Sequence, residues 1–74
     1  MKLSKKDREL IAQKIELFAD HPFDQTLRNH ALEGKYSGYR SIDIKGNLLA
    51  LYRKEDASIS RFCFLGTHHE LYGK

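Results

Sequence analysis

The chain has 74 residues, of which 41% are hydrophobic and 31% charged, with a net charge of +3 and one cysteine. This length makes one domain, near the lower limit for a single core, because a chain of this size buries only about 60% of the surface its unfolded form exposes. The balance excludes disorder, no run approaches the roughly 20 apolar residues of a membrane helix, and the lone Cys63 excludes an internal disulfide. With no apolar leader after Met1, these features predict a cytoplasmic protein.

A helix is predicted over about residues 5–19. Ser4 can cap it, Asp7 and Glu9 place acids in its first turn, and Leu3, Leu10, Ile11, Ile15, Leu17 and Phe18 recur at helical period. Pro22 ends it, because the residue before a proline avoids helical dihedrals. Asp24 can cap one further turn, with Phe23 and Leu27 expected to point inward as a staple-like pair.

The character then changes to strand. Tyr39–Ile44 alternates strictly, with Arg40, Ile42 and Ile44 on one side and Tyr39, Ser41 and Asp43 on the other. Lys45-Gly46-Asn47 is a hairpin signal, Leu48–Tyr52 reads as a central strand, and a third strand is predicted over Ile59–Leu65. Gly66 is expected to end that strand. Thr67 and Glu70 have capping-box spacing, so a short helical turn would begin at His68 and His69, where exposed N–H groups favour anions. The predicted fold is α+β: a helical part over 4–29, then a three- to four-stranded antiparallel sheet and a C-terminal helical turn over 30–74, in one domain spanning 1–74.

Charge is uneven. Residues 1–27 balance, whereas residues 28–54 carry six basic side chains against Glu33 and Asp43, a local field that suits a polyanion and is equally compatible with a solvated basic surface. Tyr36 and Tyr39 are candidates for base stacking, the alternative being packing beside the sheet. Cys63 lies in an apolar run without a C-x-x-C partner, which speaks for a buried structural thiol and against a metal site or nucleophile.

The segment from Asn29 to Gly73 resembles the RelE/ParE superfamily of toxins, and within it the YafQ-type mRNA interferases. Three parts carry the resemblance: H-x-L-x-G with G-Y-R (His30, Leu32, Gly34, Gly38, Tyr39, Arg40), the tyrosine closing the middle strand (Tyr52), and G-T-H-x-x-L-[FY] over Gly66–Tyr72. The resemblance implies a RelE-like fold and metal- and cofactor-free cleavage of mRNA on the ribosome. It also implies neutralisation by a cognate antitoxin that wraps the toxin. Family members usually carry more residues ahead of the helix, supplying an edge strand, whereas here only Met1-Lys2-Leu3 precedes the predicted helix.

Cleavage through the 2′-hydroxyl needs a base, an acid for the departing 5′-oxygen, and cations for the charge on phosphorus. By the resemblance, His30 and His68 are the proton-transfer pair and Tyr72 orients a base; Asp43 is expected to accept a proton or to orient His30 or His68. Lys35, Arg40, Asn47, Arg53 and Lys54 are the expected RNA contacts. The chain departs from the family at Asp43, Asn47 and Leu48, where another histidine, an aspartate and a tryptophan are usual, and at Phe64, which replaces a basic residue. The alternatives are a shortened, inactive member that only binds antitoxin, and a ParE-like inhibitor of DNA gyrase.

Overall fold

The computed structural model describes residues 2–73, so Met1 and Lys74 of the expected domain lie outside the described residues. Helix α1 spans Lys5–Asp20. It begins in a capping box in which the Ser4 hydroxyl accepts from the Asp7 N–H and the Asp7 carboxylate accepts from the Ser4 N–H. A 3-10 turn at Gln25–Leu27 follows, capped by Asp24. Four strands come next, β1 (His30–Ala31), β2 (Arg40–Lys45), β3 (Leu48–Lys54) and β4 (Ser60–Thr67), and then helix α2 (His68–Tyr72). The sheet is antiparallel throughout, in the order β1-β2-β3-β4.

Two cores result, one on each side of the sheet. On the α1 side, Leu27, Ile42, Ile44, Leu48, Ala50 and Tyr52 are buried, and Leu10, Ile11, Ile15 and Phe18 pack onto them. No residue of α1 is itself fully buried, so a single helix covers this face only in part. Ile11, Ile15, Ala50, Phe62 and Leu65 line an open apolar groove of about 350 Å³ between α1 and β4. Lys45 Nζ donates to Asp7 Oδ1 at 2.6 Å, tying the start of α1 to the end of β2. That bond, helped by the Ser4 N–H, holds the Asp7 carboxyl below its ordinary range.

On the opposite, distal face, Tyr36, Leu49, Leu51 and Leu71 are buried, with Leu32, Tyr39 and Tyr72 packed beside them. The cover here is a second 3-10 turn, Gly34–Tyr36, and α2. The bond from the Tyr36 hydroxyl to the Leu71 carbonyl (2.8 Å) joins the two.

Two expectations about the strands are corrected. Gly66 does not end β4, which pairs on through Gly66↔Leu49 and Thr67↔Leu48. A Cβ at Gly66 would sit 3.3 Å from Glu70 Oε1 and 3.4 Å from Leu71 Cγ, so its value is close approach of α2. Cys63 is exposed, not buried. The register slips there: Leu51 pairs with Phe64 but Tyr52 with Phe62, leaving Cys63 as the extra residue of a bulge. The staple is corrected too. Leu27 is fully buried, but Phe23 is 69% exposed with the Arg40 guanidinium over its ring at 5.5 Å.

Candidate functional site

Directly opposed residues of an antiparallel pair project to the same side. Ser41 faces away from the α1 core, so its partner His30 stands on the distal face. Asp43, two residues along β2, shares that face and lies in the row Asp43–Leu49–Gly66. His68 begins α2 just beyond that row, its ring 5.6 Å from that of Tyr72. The four candidate catalytic residues are therefore on or beside one face, although His30 and His68 belong to opposite edges of the sheet. From His30, the row Ser41, Leu51, Phe64 crosses three strand spacings of about 4.8 Å each.

Local structure fixes how each side chain is presented. Arg28 closes the first 3-10 turn in the left-handed region, at φ 49°. Its carbonyl lies 2.7 Å from His30 Nδ1. A carbonyl only accepts, so Nδ1 carries the proton and the lone pair of the neutral ring sits on Nε2. The Arg28 Nε lies 3.7 Å from Asp43 Oδ2, which places a cation beside that carboxylate.

His68 owes its position to the second capping box. Thr67 Oγ1 accepts from the Glu70 N–H at 3.1 Å, and Glu70 Oε1 accepts from the Thr67 N–H at 2.9 Å. That backbone bond is the main cause holding the Glu70 carboxyl below its ordinary range. Burial, and then Tyr36, push the Tyr72 phenol above its usual 10.0. Tyr72 is therefore a neutral ring, suited to orienting a substrate and unsuited to acting as phenolate.

The five expected RNA contacts divide between the faces. Lys35 and Arg53 are on the distal side, where Lys35 Nζ lies 5.3 Å from the Tyr36 ring and Arg53 5.9 Å from the Tyr39 ring. Arg40 and Lys54 project to the α1 side, in a cleft with Ile15, Phe18 and Phe62. Asn47 is exposed at the β2–β3 turn. Tyr36 is a buried core residue, not a free stacking surface, and Leu48 at 2% exposure is fixed in the α1-side core. Phe64 instead offers a ring to the distal face. It is 41% exposed and packs edge-on to Tyr36 at 5.4 Å and Tyr39 at 5.6 Å. Among the described residues, no group of three or more His, Cys, Asp or Glu is arranged to hold a metal, and no helix is long and apolar enough to cross a membrane.

The family model for YafQ, the bacterial toxin of type II toxin–antitoxin systems, matches residues 1–73. The chain belongs to the YafQ toxin family. It is the toxin of such a pair, and an antitoxin is its partner. Among solved folds it is similar to YafQ from Escherichia coli strain BL21(DE3), with a TM-score of 0.77 and 22% identity, over 90% of this chain and 76% of that one. It is also similar to a copper-bound mutant toxin from Helicobacter pylori, with a TM-score of 0.68 and 28% identity over 84% of this chain and 70% of that one. The solution structure of the conserved hypothetical protein HP0894 from the same bacterium gives 0.58 and 30%, over 82% and 70%. No curated protein matches.

For a YafQ-family chain, the residues that sequence reasoning passed over are those that hold others in place. Asn29 donates to the Pro22 carbonyl at 2.9 Å and to the Tyr52 hydroxyl at 2.7 Å, and accepts from Arg40 Nε at 2.8 Å. The positive φ of Arg28 has no local signal, since arginine carries no preference for that region. Ser41 is buried with its hydroxyl unpartnered, and nothing in an alternating strand marks it.

Proposed function

We propose that this YafQ-family toxin cleaves mRNA, ribosome-associated and without a metal, with His30 and His68 as its proton-transfer residues. The observation that supports this reading most is the common face of His30, Asp43, His68 and Tyr72, flanked by Lys35 and Arg53. His30 Nε2 takes the proton of the 2′-hydroxyl, whose oxygen attacks phosphorus. A 2′,3′-cyclic phosphate forms, and the departing 5′-oxygen takes its proton from His68. Lys35 and Arg53 offset the phosphate charge, and Asp43, steadied by Arg28, orients the base. Phe64, Tyr39 and Tyr72 offer rings on which bases can stack, each worth about 1–3 kcal/mol.

The test is cleavage of a translated mRNA by the purified chain. His68→Ala is expected to lower the rate by about 10²-fold or more, the range of a general acid or base, and His30→Ala likewise. Cutting undiminished by His68→Ala would refute the mechanism. A chain that binds antitoxin while cutting nothing would move the reading to the inactive module, and supercoiling inhibition without RNA cleavage to the gyrase inhibitor.

A further inference from the structure

The α1-side cleft has a chemistry of its own. It has a volume of about 580 Å³, and its lining includes Ile15, Phe18, Phe23, Phe62 and the two cations Arg40 and Lys54, without an aspartate or glutamate. Arg40 is preorganised. Its Nε donates to Asn29, and Asn29 is held in turn by Pro22 and Tyr52. Among the described residues the two Nη atoms form no hydrogen bond. A planar guanidinium held by one nitrogen presents the rest of its fork to a carboxylate at reduced entropic cost. The acids nearby in sequence are engaged by other partners: Glu55 pairs with Arg53 and Arg61, Asp43 with Arg28, Asp24 accepts from Thr26, and Asp56, which also feels the Lys54 charge, accepts from Ser58 and Ile59. Beside this paired charge stand Phe23, 69% exposed, and the flank of Phe62.

We propose that this cleft is a docking site for an acidic, apolar segment of a partner protein, whose carboxylate meets Arg40 and Lys54 while an adjacent aliphatic or aromatic side chain packs between Phe23 and Phe62. Two observations favour a protein over a nucleic acid. The lining is predominantly aliphatic and aromatic, and the cleft opens on the side of the sheet away from His30 and Asp43. The charge is complementary, because the charged residues lining the cleft are the two cations Arg40 and Lys54. Membership of a type II family supplies a protein partner, and the cleft specifies what its contacting segment carries.

The experiment is a titration of the isotope-labelled full chain, followed by amide chemical shifts, with acetyl-Glu-Leu-Phe-Glu-amide as probe. The shifts are expected to gather at Phe23, Arg40, Lys54 and Phe62, and acetyl-Gln-Leu-Phe-Gln-amide is expected to bind roughly tenfold more weakly. Arg40→Gln and, separately, Lys54→Glu should weaken the acidic peptide by a similar factor, while Arg53→Gln on the other face should not. Lys54 is exposed, so its variant decides the matter if Arg40→Gln fails to fold. Equal binding of both peptides, shifts gathered elsewhere, insensitivity to Lys54→Glu, or a uridylate hexamer shifting these residues in place of the peptide would each overturn the proposal.

Discussion

Ser41 separates a structural hydroxyl from a functional one. It is 1% exposed, and its Oγ has no hydrogen-bond partner. A buried group that has lost water without gaining a partner costs about 1–3 kcal/mol. Ser41→Ala is therefore expected to leave the thermal midpoint unchanged or raise it, as calorimetry would read. A marked loss of stability would mean that the hydroxyl has a partner in solution. Phe23 and Leu27 make a similar contrast four residues apart. Leu27 is fully buried under the α1-side core, so Leu27→Ala should cost about 2–5 kcal/mol in urea unfolding. Phe23→Ala, at an exposed ring, should cost far less.

At the scale of elements, α2 is a five-residue helix that cannot stand alone, and four features hold it over the distal face. These are the Thr67–Glu70 box, the Gly66 approach, the Leu71 side chain, and the Leu71 carbonyl that accepts from Tyr36 Oη at 2.8 Å and Lys35 Nζ at 3.4 Å. Thr67→Ala removes one orphan-N–H acceptor and should cost about 1 kcal/mol. Because α2 carries His68 and Tyr72, the proposed RNA cleavage should fall with it. The cap also has a pH sign. The Glu70 carboxyl is depressed in the folded chain, so its contribution is present above its ordinary value of 4.5 and is lost as pH falls through the depressed one. Amide protection of Glu70 and Leu71 should decline on acidification ahead of that of β3. Simultaneous loss would refute a local cap.

Among the described residues the molecule is a four-stranded sheet with a modest core on each side and one long helix to cover it. Part of the α1 side is left as open apolar groove, and β4 is an edge strand whose one charged side chain is Arg61. Such a chain gains from anything that binds its folded form. An antitoxin held free at 100 times its dissociation constant adds about 2.7 kcal/mol. The melting temperature of the toxin is therefore expected to rise with antitoxin concentration beyond equivalence. A midpoint independent of antitoxin would count against this coupling.

The order of amino acids alone determined the long elements, while the two-residue β1 and the 3-10 turn at Gly34–Tyr36 carried no such signal. The Ser4 cap, the Thr67–Glu70 capping box, the proline stop, the β2–β3 hairpin and the fold class could be read because each depends on residues within about four positions of one another, or on a simple period. The G-T-H and G-Y-R motifs pointed to the family for the same reason. Only the tertiary structure decided sides. Which strand face meets α1 is set by docking, and the bulge at Cys63 puts Phe62 with Phe18 and Tyr52 but Phe64 with Tyr36 and Tyr39, although the two are two residues apart and regular alternation would place them together. That is why the basic residues of 28–54, one cluster in the sequence, part into Lys35 and Arg53 beside the histidine face and Arg40 and Lys54 in the cleft behind it.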